Sequence, residues 1–172
     1  MKTPLNRCAL RPAPAVLCAA ACWMYGCARL PSDDGLARNF SAQRSGFEDL
    51  VAMFSADSTF RRIDAGGYVT PRGMSDARYG RYVEIFRRLQ VANGINREPG
   101  YPQAVFIIAE SEVPIGGKSY AVGLAHSPLA VGPVLRRLPT PPLPIEWRSG
   151  SGQEILFQRL DDGWYLFHWS AW

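Results

Sequence analysis

Apolar residues change their spacing partway along the chain. From Phe40 they recur at helical intervals, Phe40, Phe47, Leu50, Val51 and Phe54 sharing one face while Arg44, Glu48 and Asp49 fall mostly elsewhere. This predicts a helix over residues 38–56, with Gly46 as a soft spot. Tyr79, Tyr82, Val83, Phe86 and Leu89 form a second stripe. It predicts a helix capped by Ser75, with Asp76 in its first turn and Gly94 ending it after Asn93. Between the two, Phe60 to Asp64 reads as a short extended segment leading into a turn region rich in glycine and proline.

Beyond residue 100 the period falls to two. Two extended runs joined at Gly116-Gly117 predict a hairpin, and its returning strand puts Tyr120, Val122, Leu124 and His126 on one face. The opposite face carries Ala121, Gly123 and Ala125, small enough to let a helix approach closely. Two more strands flank Asp161-Asp162-Gly163, a second hairpin signal. Residues 128–145 hold six prolines, which exclude a regular helix or central strand and predict an extended crossing loop. The expected architecture is therefore α+β: two N-terminal helices packed on an antiparallel sheet made of two C-terminal hairpins, with a proline-rich connecting loop. No internal repeat is present, and cone-like or cystatin-like sheets are both compatible with this order.

The first 30 residues follow a different logic. Lys2, Arg7 and Arg11 precede the apolar run Ala13 to Met24, which has the length of a secretory h-region. The uncharged stretch from Pro12 to Ala28 is 17 residues long. That is the lower limit of the ~17–25 needed to span a bilayer, and its prolines and alanines make a weak spanning helix. Met24-Tyr25-Gly26-Cys27 resembles the lipobox of bacterial lipoproteins. Gly26 and Cys27 match that pattern, Met24 stands in for the usual leucine, and Tyr25 departs from the usual small residue. The resemblance implies cleavage before Cys27, a diacylglyceryl group on its thiol, and a further acyl chain such as palmitate on the new amino group. Two or three chains hold a protein stably where one holds it marginally. A competing cut after Ala21 satisfies the small-x-small rule and leaves Cys22 and Cys27 free to pair.

The expected organisation is a signal peptide over 1–26, a lipidated N-terminus and flexible linker over 27–37, and a single globular domain over 38–172. The resemblance places the domain in the cell envelope, facing the periplasm. Ala28 after Cys27, where an aspartate would signal retention, resembles outer-membrane sorting in enteric bacteria.

Charge and cysteine usage then narrow the chemistry. The formal charge of +4 falls to 16 basic against 15 acidic groups once residues 1–26 are removed. Arg61-Arg62, Arg87-Arg88 and Arg136-Arg137 are scattered among acids, so a nucleic-acid partner is not expected. All four cysteines, Cys8, Cys18, Cys22 and Cys27, precede the domain, which excludes a disulfide framework, a thiolate metal site and a catalytic cysteine within it. No metal and no cofactor is expected. The GGKS at Gly116 to Ser119 lacks the earlier glycine and following helix of a phosphate loop. Asn39-Phe40-Ser41 fits a glycosylation acceptor formally, without meaning in a bacterial lipoprotein. Asp64 is placed to pair with Arg61 or Arg78.

Two functional readings remain. The poverty of catalytic motifs favours a non-catalytic binding or structural module, anchored to the membrane through lipid on Cys27 and contacting an envelope protein. In the strand WYLFHW, Trp164, Leu166 and His168 alternate with Tyr165, Phe167 and Trp169, so both faces are bulky. Trp164, Tyr165, Phe167, Trp169 and Trp172 are accordingly the candidate binding surface, unless the segment from Pro128 to Ile145 folds back to cover it. The alternative is a periplasmic hydrolase or small-ligand enzyme using His126 or His168 as a base, which requires a carboxylate within reach of the ring inside a concave pocket.

Overall fold

The computed structural model describes residues 31–112, 119–129, 131–132, 134–138 and 153–171. Helix α1 spans Asp33–Ala56, five residues longer at its start than the apolar stripe predicts. Ser32 accounts for the difference: its side chain accepts from the Gly35 N–H, and Asp33 and Asp34 complement the positive end of the helix dipole. Residues 33–37, expected as linker, are thus helical, and Leu36 is buried in the core. The helical geometry breaks at Gln43, not at Gly46. Gly46 is buried, and a Cβ there would lie 2.9 Å from Leu89 Cδ2 of the second helix. Its smallness sets the distance between the helices.

Helix α2 spans Asp76–Leu89, with Ser75 accepting from the Arg78 N–H as its cap. It ends earlier than Gly94 because Gln90 takes the left-handed conformation at φ 58° and bonds the Arg87 and Phe86 carbonyls. Asn39 donates to the Leu89 carbonyl at 2.8 Å, tying α1 to this end. The glycosylation-like asparagine is therefore a helix-packing residue.

Among the described residues eight strands follow the order β2-β1-β3-β4-β5-β8-β7-β6 in one sheet. They are β1 (Arg62–Asp64), β2 (Val69–Thr70), β3 (Gly94–Asn96), β4 (Val105–Glu112), β5 (Ser119–His126), β6 (Val134–Leu135), β7 (Gln153–Asp161) and β8 (Trp164–Ala171). Every pairing is antiparallel except β6 with β7, so the protein is α+β. The four long strands are those expected. Of the four shorter ones, β1 lies within the extended segment expected over Phe60 to Asp64, while β2, β3 and β6, two or three residues long, are too short for alternation to reveal them. Gly116-Gly117 and half of the proline-rich stretch 128–145 lie outside the described residues.

An extra residue in β4 between Ile108 and Glu110 shifts its register on β5, so His126 sits opposite Val105 and not Phe106 or Ile107. Asp161 pairs with Trp164 across Asp162 and Gly163, the latter at φ 69°.

Both helices cover the face of Ile63, Ile95, Ile107, Val122, Leu124 and Leu166. Contrary to the expectation from Ala121, Gly123 and Ala125, they do not approach the small-residue face of β5. The branched side chains offer the larger apolar area to bury. Ala121, Gly123 and Ala125 instead make room for aromatic rings on the far side.

A polar knot holds the helices at one end. Arg78 Nε lies 2.8 Å from Asp57 Oδ2, and the Tyr82 hydroxyl donates to the same oxygen at 2.7 Å. Arg97 lies over the Phe54 ring at 4.0 Å and donates to the Phe54 carbonyl. Asp64 is therefore left to Arg62, its neighbour on the same face of β1, at 2.7 and 2.8 Å. It pairs with neither Arg61 nor Arg78.

Burial alone would raise the Asp57 pKa, but the hydrogen bonds from Arg78 and Tyr82 outweigh it and hold the carboxyl below its ordinary range. A depressed carboxyl stabilises the fold above its unfolded pKa, and that contribution is lost as pH falls through the folded value. Urea midpoints should therefore separate wild type from Asp57→Asn at neutral pH and converge as the pH falls below the ordinary carboxylate range. A difference independent of pH would show that the charge of Asp57 contributes nothing.

A candidate binding groove

The face away from the helices is covered over part of its width. Tyr101, from the connection between β3 and β4, stacks edge-on against Phe106 and Phe157, and Val131 is buried beside them. Phe106 meets Phe167 at 5.2 Å between ring centroids, roofing the small residues of β5. Val131 is the described part of the proline-rich stretch that joins this cover.

Next to this aromatic plug the face opens into a groove of about 250 Å³. Strand register explains its shape. Ser111 of β4, Ala121 of β5, Trp169 of β8 and Ile155 of β7 lie in one row across the sheet. Ala121 is the low point of that row, between the larger side chains of its neighbours. In the adjacent row Gly123 leaves space beside Ile108 and Phe167, and a Cβ on it would lie 2.9 Å from Phe167 Cε1. Phe106 and Phe167 thus close one end, and Ser111, Ser119 and Trp169 stand at the other.

The far wall is polar. Arg62 of β1 and Asn96 of β3 are register partners, and both line the groove with Glu98. Asn96 is only 7% exposed. Its Nδ2 donates to Glu98 Oε1 at 2.6 Å, which leaves Oδ1 as the amide's accepting atom, buried and without a partner.

The five aromatic candidates are divided by this geometry. Trp169 lines the groove and is partly exposed, and Phe167 forms its inner end. Tyr165 is buried in the aromatic plug. Trp164 faces the helices and belongs to the core. Trp172, like Cys27, lies outside the described residues. The groove residues that sequence reasoning missed are Arg62 and Asn96, on strands too short to leave a periodic signal, and Glu98, just beyond the end of β3.

Neither histidine lines the groove. His126 stacks on Trp164 at 4.8 Å, and burial holds its pKa below the ordinary imidazole value despite the opposing field of Glu48. His168 has a carboxylate partner, Asp33 Oδ1 at 2.8 Å from Nε2. The pair lies under the first turn of α1, where His168 is 2% exposed. Its Nδ1, with Ser170 Oγ and Glu154 Oε2 on the same face, has no partner. Among the described residues no three histidine, cysteine or acidic side chains converge as a metal site would require.

Comparison with known proteins finds no matching family, no matching characterised relative and no matching solved structure. No helix among the described residues is long and apolar enough to cross a membrane.

Proposed function

We propose that this is a lipid-anchored bacterial envelope protein, held by acyl chains on Cys27, whose domain is a non-catalytic binding module. On this reading two N-terminal helices support a sheet centred on two C-terminal hairpins, and the proline-rich connection helps to cover its far face. The observation that carries the binding role is the groove, an opening beside the aromatic cover of the far sheet face with Trp169 at its mouth. A half-buried tryptophan beside a ready-made recess is the kind of anchor that recognition surfaces use. The domain would stand in the periplasm, on the outer membrane in preference to the inner, and contact another envelope component.

Two measurements test the two halves of this proposal. The intact mass of the mature protein should show an N-terminus at Cys27 with added lipid. An unmodified soluble chain starting at Cys22 sinks the anchor. A photo-cross-linker placed at Ser111, on the groove wall, should capture a component of the native envelope, and Trp169→Ala should weaken that capture.

A second reading draws on the Asp33–His168 pair, whose hydrogen bond is the arrangement that orients a histidine base. Its burial beneath α1, on the face opposite the groove, favours a packing role. Loss of an envelope hydrolase activity in His168→Gln, with stability retained, would restore the enzyme reading.

A further inference from the structure

Reading the groove as the binding surface leaves open what chemistry it accepts, and its polar wall is selective. Asn96 Oδ1 is an acceptor without a donor, in a side chain whose other atom is committed to Glu98. A buried amide oxygen in that state is satisfied only by a group that brings an N–H or O–H to it. Glu98 beside it is a second acceptor. Arg62, the one cation lining the groove among the described residues, has its guanidinium engaged by both oxygens of Asp64. Among those residues Arg62, Asp64 and Glu98 together leave this end one negative charge in excess. Apart from Ser111 and Ser119 at the other end, the lining nearby is aromatic or aliphatic, Phe106, Ile108, Phe167 and Trp169 among it, and aromatic faces attract cations.

We infer that the groove binds a small amphipathic amine. Its ammonium donates to Asn96 Oδ1 and the Glu98 carboxylate while its apolar body lies against Phe167 and Trp169. The volume of about 250 Å³ accommodates a body the size of a single ring or short chain. A carboxylate ligand of the same shape is disfavoured, because it would face two acceptors and a cation that is already paired.

This inference rests on the groove being the binding surface and is independent of the lipid anchor. The full chain, reconstituted in lipid nanodiscs, is titrated with 2-phenylethylamine, 2-phenylethanol and phenylacetate, following ligand signals by saturation-transfer NMR. Empty nanodiscs supply the background. The amine should bind roughly tenfold or more tightly than phenylacetate, with the alcohol between them. Glu98→Gln should remove about that factor for the amine and leave the alcohol within about twofold. Glu98 is partly exposed, so this variant is expected to fold; Asn96→Ala is the companion, and a circular dichroism melt checks both. Equal binding of amine and phenylacetate, or amine binding unchanged in Glu98→Gln, overturns the inference. If none of the three binds while the cross-linker at Ser111 still captures an envelope component, the amine site is refuted and the binding module stands. If neither ligand nor component is captured, both readings fail.

Discussion

Replacing Trp164 by alanine is expected to lower the stability of the domain by about 3–5 kcal/mol, the range for truncating a fully buried aromatic side chain. Trp164 is 2% exposed at the start of β8. On its helix-facing side it meets Phe40 at 4.8 Å and Phe47 at 6.4 Å between ring centroids, and His126 packs on it at 4.8 Å. It therefore joins α1 to the paired strands β5 and β8. Alanine would leave a cavity that neither the helix, held to α2 by Asn39 and Gly46, nor the paired strands can collapse to fill. Trp169 supplies the control, because it projects from the other face of the same strand into the groove. Trp169→Ala should lower stability by less than half as much, since a partly exposed ring loses less buried area. Denaturant midpoints of the two variants decide the matter. Near-equal losses would mean that the division of β8 into a core face and a groove face is wrong.

That division was legible in the alternation of WYLFHW, and the core face of α1 and α2 was legible in their stripes, because long amphipathic elements repeat their signal. What could not be read was which sheet face the helices choose. Ala121, Gly123 and Ala125 looked like a helix seat, yet the deciding quantity was the apolar area on the opposite face, from Val122, Leu124, Ile107 and Leu166. Register arithmetic from Gly116-Gly117 placed His126 too far along β4, one residue of the error coming from the bulge beyond Ile108. A bulge is a local backbone event with no compositional mark here.

The site was less legible than the fold, for a physical reason. Trp169 announced itself as an aromatic on a strand already apolar on both faces. Its partners across the groove stand on β1 and β3, three residues each, where alternation has no length in which to repeat. Asn96 matters because one amide atom is occupied and the other is not, a property of three-dimensional accounting that no residue spacing encodes. The His168 partner was hidden similarly: Asp33 lies 135 residues away, in a stretch that reads as linker until Ser32 is recognised as a cap.

The same short strands carry the second large effect, at Gly94. The sequence offers this glycine as a helix terminator, but Gln90 takes that role, and Gly94 begins β3 with φ 135°, between Asp64 of β1 and Ile108 of β4. A Cβ at Gly94 would lie 2.2 Å from the Ile63 carbonyl oxygen and 2.7 Å from Asp64 Cα. Both contacts are to backbone, so no rotamer change relieves them. Gly94→Ala therefore combines about 1–3 kcal/mol for a side chain in glycine-only backbone space with the separation of β1 from β3. The expected total is a loss of about 3 kcal/mol or more. Gly73 isolates the first contribution, because its φ is 116° with nothing within 4 Å of the built Cβ, and Gly73→Ala should show only the backbone strain. Amide exchange adds a local readout: in Gly94→Ala, Ile63 and Asp64 should exchange faster than residues of β5 and β8, since the damage lies at the β1–β3 seam. Arg62 stands on that seam, so amine binding in the groove should weaken together with β1 protection. Equal stabilities for the two alanine variants would show that the sheet yields at Gly94, and the tight β1–β3 approach would then set neither the fold's stability nor the shape of the groove wall.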